Sequence, residues 1–92
     1  MAKVEFIYES AKTIIQCNPE DRLEDIVQKF TVKLEKNTKD LFFIYDGQLL
    51  DIKKTFKESV NDIDKSRNQM NVIVNNKSEE EKTFHFYKNL NM

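Results

Sequence analysis

Apolar residues in the first seventeen positions recur at every second residue. Val4, Phe6 and Tyr8 alternate with Glu5 and Ile7, a period of two that predicts a strand over Lys3–Glu9. A second run, Thr13-Ile14-Ile15-Gln16-Cys17, is rich in β-branched residues and follows the short turn Glu9-Ser10-Ala11-Lys12. So short a connection predicts an antiparallel hairpin. Asn18-Pro19 ends it, because proline has no ladder donor and restricts the residue before it. The period then changes. Leu23, Ile26, Val27, Phe30 and Leu34 are three and four residues apart, one stripe of a helix whose other face carries Arg22, Glu24, Gln28, Lys29 and Lys33. The helix is expected from about Asp21 to about Lys36. Asp21 and Glu24 form a capping-box pattern at its start, and Lys33 and Lys36 suit the dipole at its end.

After the polar stretch Lys36–Asp40, Leu41-Phe42-Phe43-Ile44-Tyr45 reads as a strand, and Asp46-Gly47 as a tight turn into Gln48-Leu49-Leu50. Residues 51–66 look irregular and polar, pinned by Phe56, Val60 and Ile63. Met70-Asn71-Val72-Ile73-Val74 is a final strand. The order is ββαβββ, which predicts an α+β domain with one amphipathic helix packed across one face of a mixed sheet. The expected domain covers residues 1–76, followed by a charged linker over 77–82 and an apolar tail over 83–92.

Composition narrows the functional classes. Ninety-two residues make one domain, and 39% hydrophobic residues suffice for a modest core without metal or disulfide. Fifteen basic against sixteen acidic residues leave a net charge of −1, with no electrostatic footprint for nucleic acid or an anionic membrane. The lone Cys17 has no disulfide partner, Lys3 and Glu5 interrupt any signal-peptide core, and no apolar run spans a bilayer. Together these point to a cytoplasmic or nuclear protein. With one glycine in the chain, turns fall to Asn, Asp and Ser.

Catalytic and metal-binding patterns fare poorly. His85 is the only histidine, and no Ser, Cys or carboxylate stands at a recognisable spacing from it. Cys17 falls on an inward strand position, as a small core residue does. Asp62-Ile63-Asp64-Lys65-Ser66 begins like a calcium loop, but Arg67 takes the required glycine position and Ile73 that of the closing acid. No glycine-rich phosphate loop exists. A non-enzymatic protein without metal or cofactor is expected.

Three segments together resemble the ubiquitin superfamily. Asn18-Pro19-Glu20-Asp21, with Leu23, Ile26 and Phe30 behind it, is similar to the family's entry into its helix. Phe43-Ile44-Tyr45-Asp46-Gly47-Gln48-Leu49-Leu50-Asp51 is similar to its third strand, glycine turn and leucine-plus-acid segment. Thr55-Phe56 and Met70–Val74 are similar to its closing segment and last strand. The resemblance covers roughly Val4 to Val74 and implies a β-grasp fold. Conjugated members end in two glycines; here Asn75-Asn76-Lys77-Ser78 stands in that place and the chain continues. A non-conjugated, built-in domain of an adaptor or larger protein is therefore implied. Gln48 replaces the chain-forming lysine of ubiquitin.

The family docks partners on an apolar patch of its exposed sheet face, centred on an isoleucine that Ile44 matches, beside a valine that Ile73 matches. Alternation agrees: with Phe43, Val72 and Val74 inward, Ile7, Phe42, Ile44 and Ile73 point out. The expected protein-binding residues are Ile7, Phe42, Ile44, Gly47, Gln48, Asn71 and Ile73. Alternatively the patch is covered by the chain's own tail. Phe84, Phe86, Tyr87 and Leu90 would serve there, in self-association, or in packing on a following domain.

Overall fold

The computed structural model describes residues 1–77; the expected linker beyond Lys77, the apolar tail and His85 lie outside the described residues. Among the described residues, five strands form one mixed sheet. They are β1 (Ala2–Tyr8), β2 (Ala11–Cys17), β3 (Leu41–Tyr45), β4 (Gln48–Leu49) and β5 (Gln69–Asn76), in the order β2-β1-β5-β3-β4. β1 runs antiparallel to β2 and parallel to β5, and β5 runs antiparallel to β3. Helix α1 (Leu23–Leu34) covers one face. The chain is α+β.

The core is built on alternation. Val4, Phe6, Ile15, Cys17, Phe43, Met70, Val72 and Val74 are buried from the sheet, and Leu23, Ile26, Val27 and Phe30 from α1. Phe30 stacks on Phe6 at 4.4 Å between ring centroids, and both meet the Phe43 ring edge-on at 6.1 and 6.2 Å. Leu34 is only partly buried, and Thr31 is buried in its stead, its hydroxyl donating to the Gln28 carbonyl. Val32 lies on the exposed side of α1.

The start of α1 corrects the expected capping box. Arg22 is the cap residue and makes no side-chain cap bond. Asp21 instead accepts from the Asn18 amide at 2.9 Å, closing the Asn18-Pro19 turn. The first helical amides go to a distant loop: Leu23 donates to the Lys54 carbonyl and Glu24 to that of Ile52, each at 2.9 Å. The loop returns the contact, with Phe56 donating to the Asp21 carbonyl and Lys57 to that of Pro19. Backbone satisfies the orphan donors that a side chain was expected to take.

The stretch read as irregular holds two further helices, α2 (Phe56–Ser59) and α3 (Asp62–Arg67). Four and six residues are too short for a periodic stripe, so their signal lies in their caps. Thr55 and Glu58 form a full capping box on α2, and Asn61 caps α3. Phe56 is buried and Val60 packs on the core, whereas Ile63, expected as a pin, is 75% exposed.

Turns correct a second expectation. Glu9 and Ser10 form the two-residue β1–β2 turn with φ of 50° and 68°, and Glu35 ends α1 at φ 56°. Asp46, Gly47 and Asn68 also have positive φ. Two glutamates thus occupy left-handed positions that glycine or asparagine normally takes.

The stacked position of Phe30 sets the first test. Phe30→Ala should cost about 3–5 kcal/mol in urea unfolding. Val32→Ala, on the opposite side of the same helix, should change stability by less than about 0.5 kcal/mol.

Candidate protein-binding face

The sheet face away from α1 is set by the same alternation. Ile7 pairs with Ile73, Ile73 with Ile44, and Ile44 with Leu49. Paired residues share a face, so these four side chains form one row across β1, β5, β3 and β4. Ile73 is 49% exposed and Leu49 67%, whereas Ile7 and Ile44 are half-buried. The row is apolar from end to end and open to solvent along its length.

The other expected residues lie around this row to different degrees. Phe42 pairs with Asn75 in the next row on the same face, and the Lys77 ammonium stands 5.4 Å from its ring centroid. Asn71 is exposed one row to the other side, opposite Glu5, and accepts from Gln69 Nε2 at 2.8 Å. Gly47 forms the β3–β4 turn with Asp46, its positive φ of 78° suiting a residue without Cβ. Gln48 does not join the row: it pairs with Tyr45, which points to the helix side. Leu49 is the residue that sequence reasoning missed. Its signal was available, because a two-residue turn at Asp46-Gly47 fixes Tyr45 opposite Gln48 and hence Ile44 opposite Leu49.

Directly behind the row, Tyr45 ties β3 to α3. Its phenol donates to Asp64 Oδ2 at 2.6 Å and accepts from the Asn61 amide at 3.1 Å. Asp64 also accepts from Arg67, and its own amide donates to Asn61 Oδ1 at 2.8 Å. The Tyr45 hydroxyl and both Asp64 carboxylate oxygens therefore have partners, which ties the strand end that carries Ile44 to α3. Burial, with the neighbouring Asp64 adding to it, pushes the Tyr45 phenol up to about 12. The Tyr45 hydrogen bond, helped by Arg67, holds the Asp64 carboxyl below the ordinary aspartate range.

Nothing in this arrangement equips the chain for catalysis by Cys17, which is buried, its thiol pushed up to about 11 chiefly by desolvation. A raised thiol is a poor nucleophile at neutral pH. Among the described residues, no three His, Cys, Asp or Glu side chains are grouped as a metal would require. No helix among them is long and apolar enough to cross a membrane.

The Tyr45–Asp64 pair predicts a pH dependence. A depressed carboxylate stabilises the fold above its unfolded value near 4 and loses that contribution as pH falls through the lower folded value. The raised phenol contributes fully below its ordinary value of about 10, and this is lost as pH rises towards about 12. Tyr45→Phe should cost about 1–2 kcal/mol at pH 7. In urea unfolding the gap from the parent should shrink steadily below about pH 4.

No protein-family model matches this sequence, and no curated protein matches it. Among solved structures, the chain is similar to the crystal structure of ATBAG1 in complex with HSP70, with a TM-score of 0.67 over 96% of this chain at 14% identity. The chain spans 48% of that neighbour's length. The likeness is one of fold.

Proposed function

We propose that this chain is a ubiquitin-like β-grasp domain that recruits a protein partner through its outer sheet face and performs no chemistry of its own. The observation that carries this reading is the row Ile7–Ile73–Ile44–Leu49, a continuous apolar band on the side of the sheet that α1 leaves uncovered. Contiguous exposed apolar surface marks contact sites more often than scattered residues do. The fold neighbour is a protein held in complex with a protein partner, which supports a binding module in general. Lys77 beside Phe42 and the exposed Asn71 give the band a polar rim, as interfaces commonly have.

On this reading the domain is part of an adaptor or of a larger cytoplasmic or nuclear protein. It is not conjugated to lysine, since β5 runs on through Asn75 and Asn76 into Lys77 where a modifier has a side-chain-free tail. Incubation with a ubiquitin-type activating enzyme and ATP should give no reductant-sensitive thioester adduct; such an adduct would refute this part of the reading.

Binding is tested by titrating the isotope-labelled chain with candidate partners, an HSP70 among them. Amide shifts should gather at Ile7, Ile44, Leu49 and Ile73. Ile44→Glu should abolish that response while lowering Tm by no more than a few degrees, because the side chain is outside the core. Shifts centred on another surface, or a partner that tolerates Ile44→Glu, would refute the assignment of the face.

A further inference from the structure

The two edges of the sheet are managed differently. At one end, β4 is only two residues long, which leaves little ladder for another strand to join. At the other, β2 is seven residues long, contains no proline, and is paired only with β1 among the described residues.

Which β2 groups are free follows from β1. The Lys3 amide donates to the Asn68 carbonyl at 3.0 Å, so alternate residues Lys3, Glu5 and Ile7 turn their backbone towards β5. Val4, Phe6 and Tyr8 turn theirs to Ile15, Thr13 and Ala11. Lys12, Ile14 and Gln16 therefore direct their amide and carbonyl groups out from the open edge.

Exposed apolar side chains flank that edge on both sides of the sheet plane. Ile14 is 50% exposed on the outer face, and Val32 of α1 is 68% exposed on the helix side. Between β2 and α1 lies an open groove of about 880 Å3, whose ionic side chains are Asp25, Lys29 and Lys33.

We propose that the β2 edge is a self-association surface on which a second copy of this chain pairs antiparallel, β2 to β2, about a two-fold axis through Ile14. The free trio is centred on Ile14, so the axis sets Ile14 opposite its own copy and Lys12 opposite Gln16 of the second copy. Each of these pairs then exchanges both backbone hydrogen bonds, and the two sheets join as one. No ammonium meets its like along the ladder, because Lys12 faces a glutamine. The Ile14 side chains become neighbours on the outer face.

The groove carries one acid and two ammonium groups in each copy. Along α1 they come in the order Asp25, Lys29, Lys33. A two-fold axis that reverses this order turns Asp25 of each copy towards Lys33 of the other, and Lys29 towards its own counterpart. Opposite charges thus meet on either side of a central Lys29 pair, with the exposed Val32 of each copy beside them. The Ile7–Ile44 row begins beside this edge, where Ile7 pairs with Lys12, but Ile73, Ile44 and Leu49 lie on strands farther from it and stay open in the dimer.

Sedimentation equilibrium of the full chain, from micromolar to millimolar concentration, tests this. The mass should rise from 11.0 kDa towards double that value. Amides of Lys12, Ile14 and Gln16 should exchange more slowly as the dimer fills, while exposed amides elsewhere do not. Ile14→Pro removes an outward-facing donor, which an edge strand tolerates, and should hold the mass at 11.0 kDa with helix content unchanged. If that variant unfolds, Ile14→Lys, which brings two ammonium groups together on the axis, should do the same. Ile44→Glu should dimerise as the parent does, which separates this proposal from the partner-binding reading. A mass of 11.0 kDa at every concentration would overturn it. So would a dimer that survives both Ile14 variants, or one that Ile44→Glu dissolves.

Discussion

The contact on which the rest of the molecule depends is the packing of Phe6, Phe30 and Phe43 against one another. It joins the hairpin, the helix and the third strand, and it decides which side of every strand faces inward. With Phe6 inside, Ile7 must be outside; with Phe43 inside, Phe42 and Ile44 must be outside. Val72 sits opposite Phe6 in the β1–β5 ladder and does the same for Ile73. The exposed apolar row is therefore the complement of the aromatic core. Sliding any one strand by a single residue would exchange the two.

Local periodicity carried much of this. β1, β2 and β5, the long helix and the direction of the Ile44 side chain all follow from periods of two or about 3.6, because each element buries one face against a common core. What escaped was decided by contacts between distant parts of the chain. The first turn of α1 is closed by the Lys54 and Ile52 carbonyls, which no local pattern around Asp21 encodes. α2 and α3 have caps but no room for a stripe, so Thr55, Glu58 and Asn61 were their only signs. Leu49 was legible through register but not through alternation, since β4 is too short to alternate.

Scarcity of glycine shapes the remaining loops. Glu9, Ser10 and Glu35 take left-handed backbone geometry where a β-carbon is tolerated at a cost of about 1–2 kcal/mol each. That cost is borne because the surrounding structure leaves no alternative. The Glu9-Ser10 turn must bring Tyr8 opposite Ala11, and Glu35 must reverse the chain while the Lys36 amide donates to Thr31. Core packing on either side outweighs the local preference, as it does for the missing side-chain cap of α1.

The parallel β1–β5 pair in the middle of the sheet has a consequence for biosynthesis. The strand made first lies beside the last described strand, with Val4 opposite Met70 and Tyr8 opposite Val74. A nascent chain that has passed Leu49 holds its hairpin, its helix and its third strand, yet lacks the strand that separates and joins them. Until Gln69–Asn76 clears the ribosome, the inner faces of Phe6 and Phe43 have no shared neighbour to complete the sheet. Folding of the described sheet therefore waits for β5, and translation through that segment governs when the nascent sheet stops being available to chaperones.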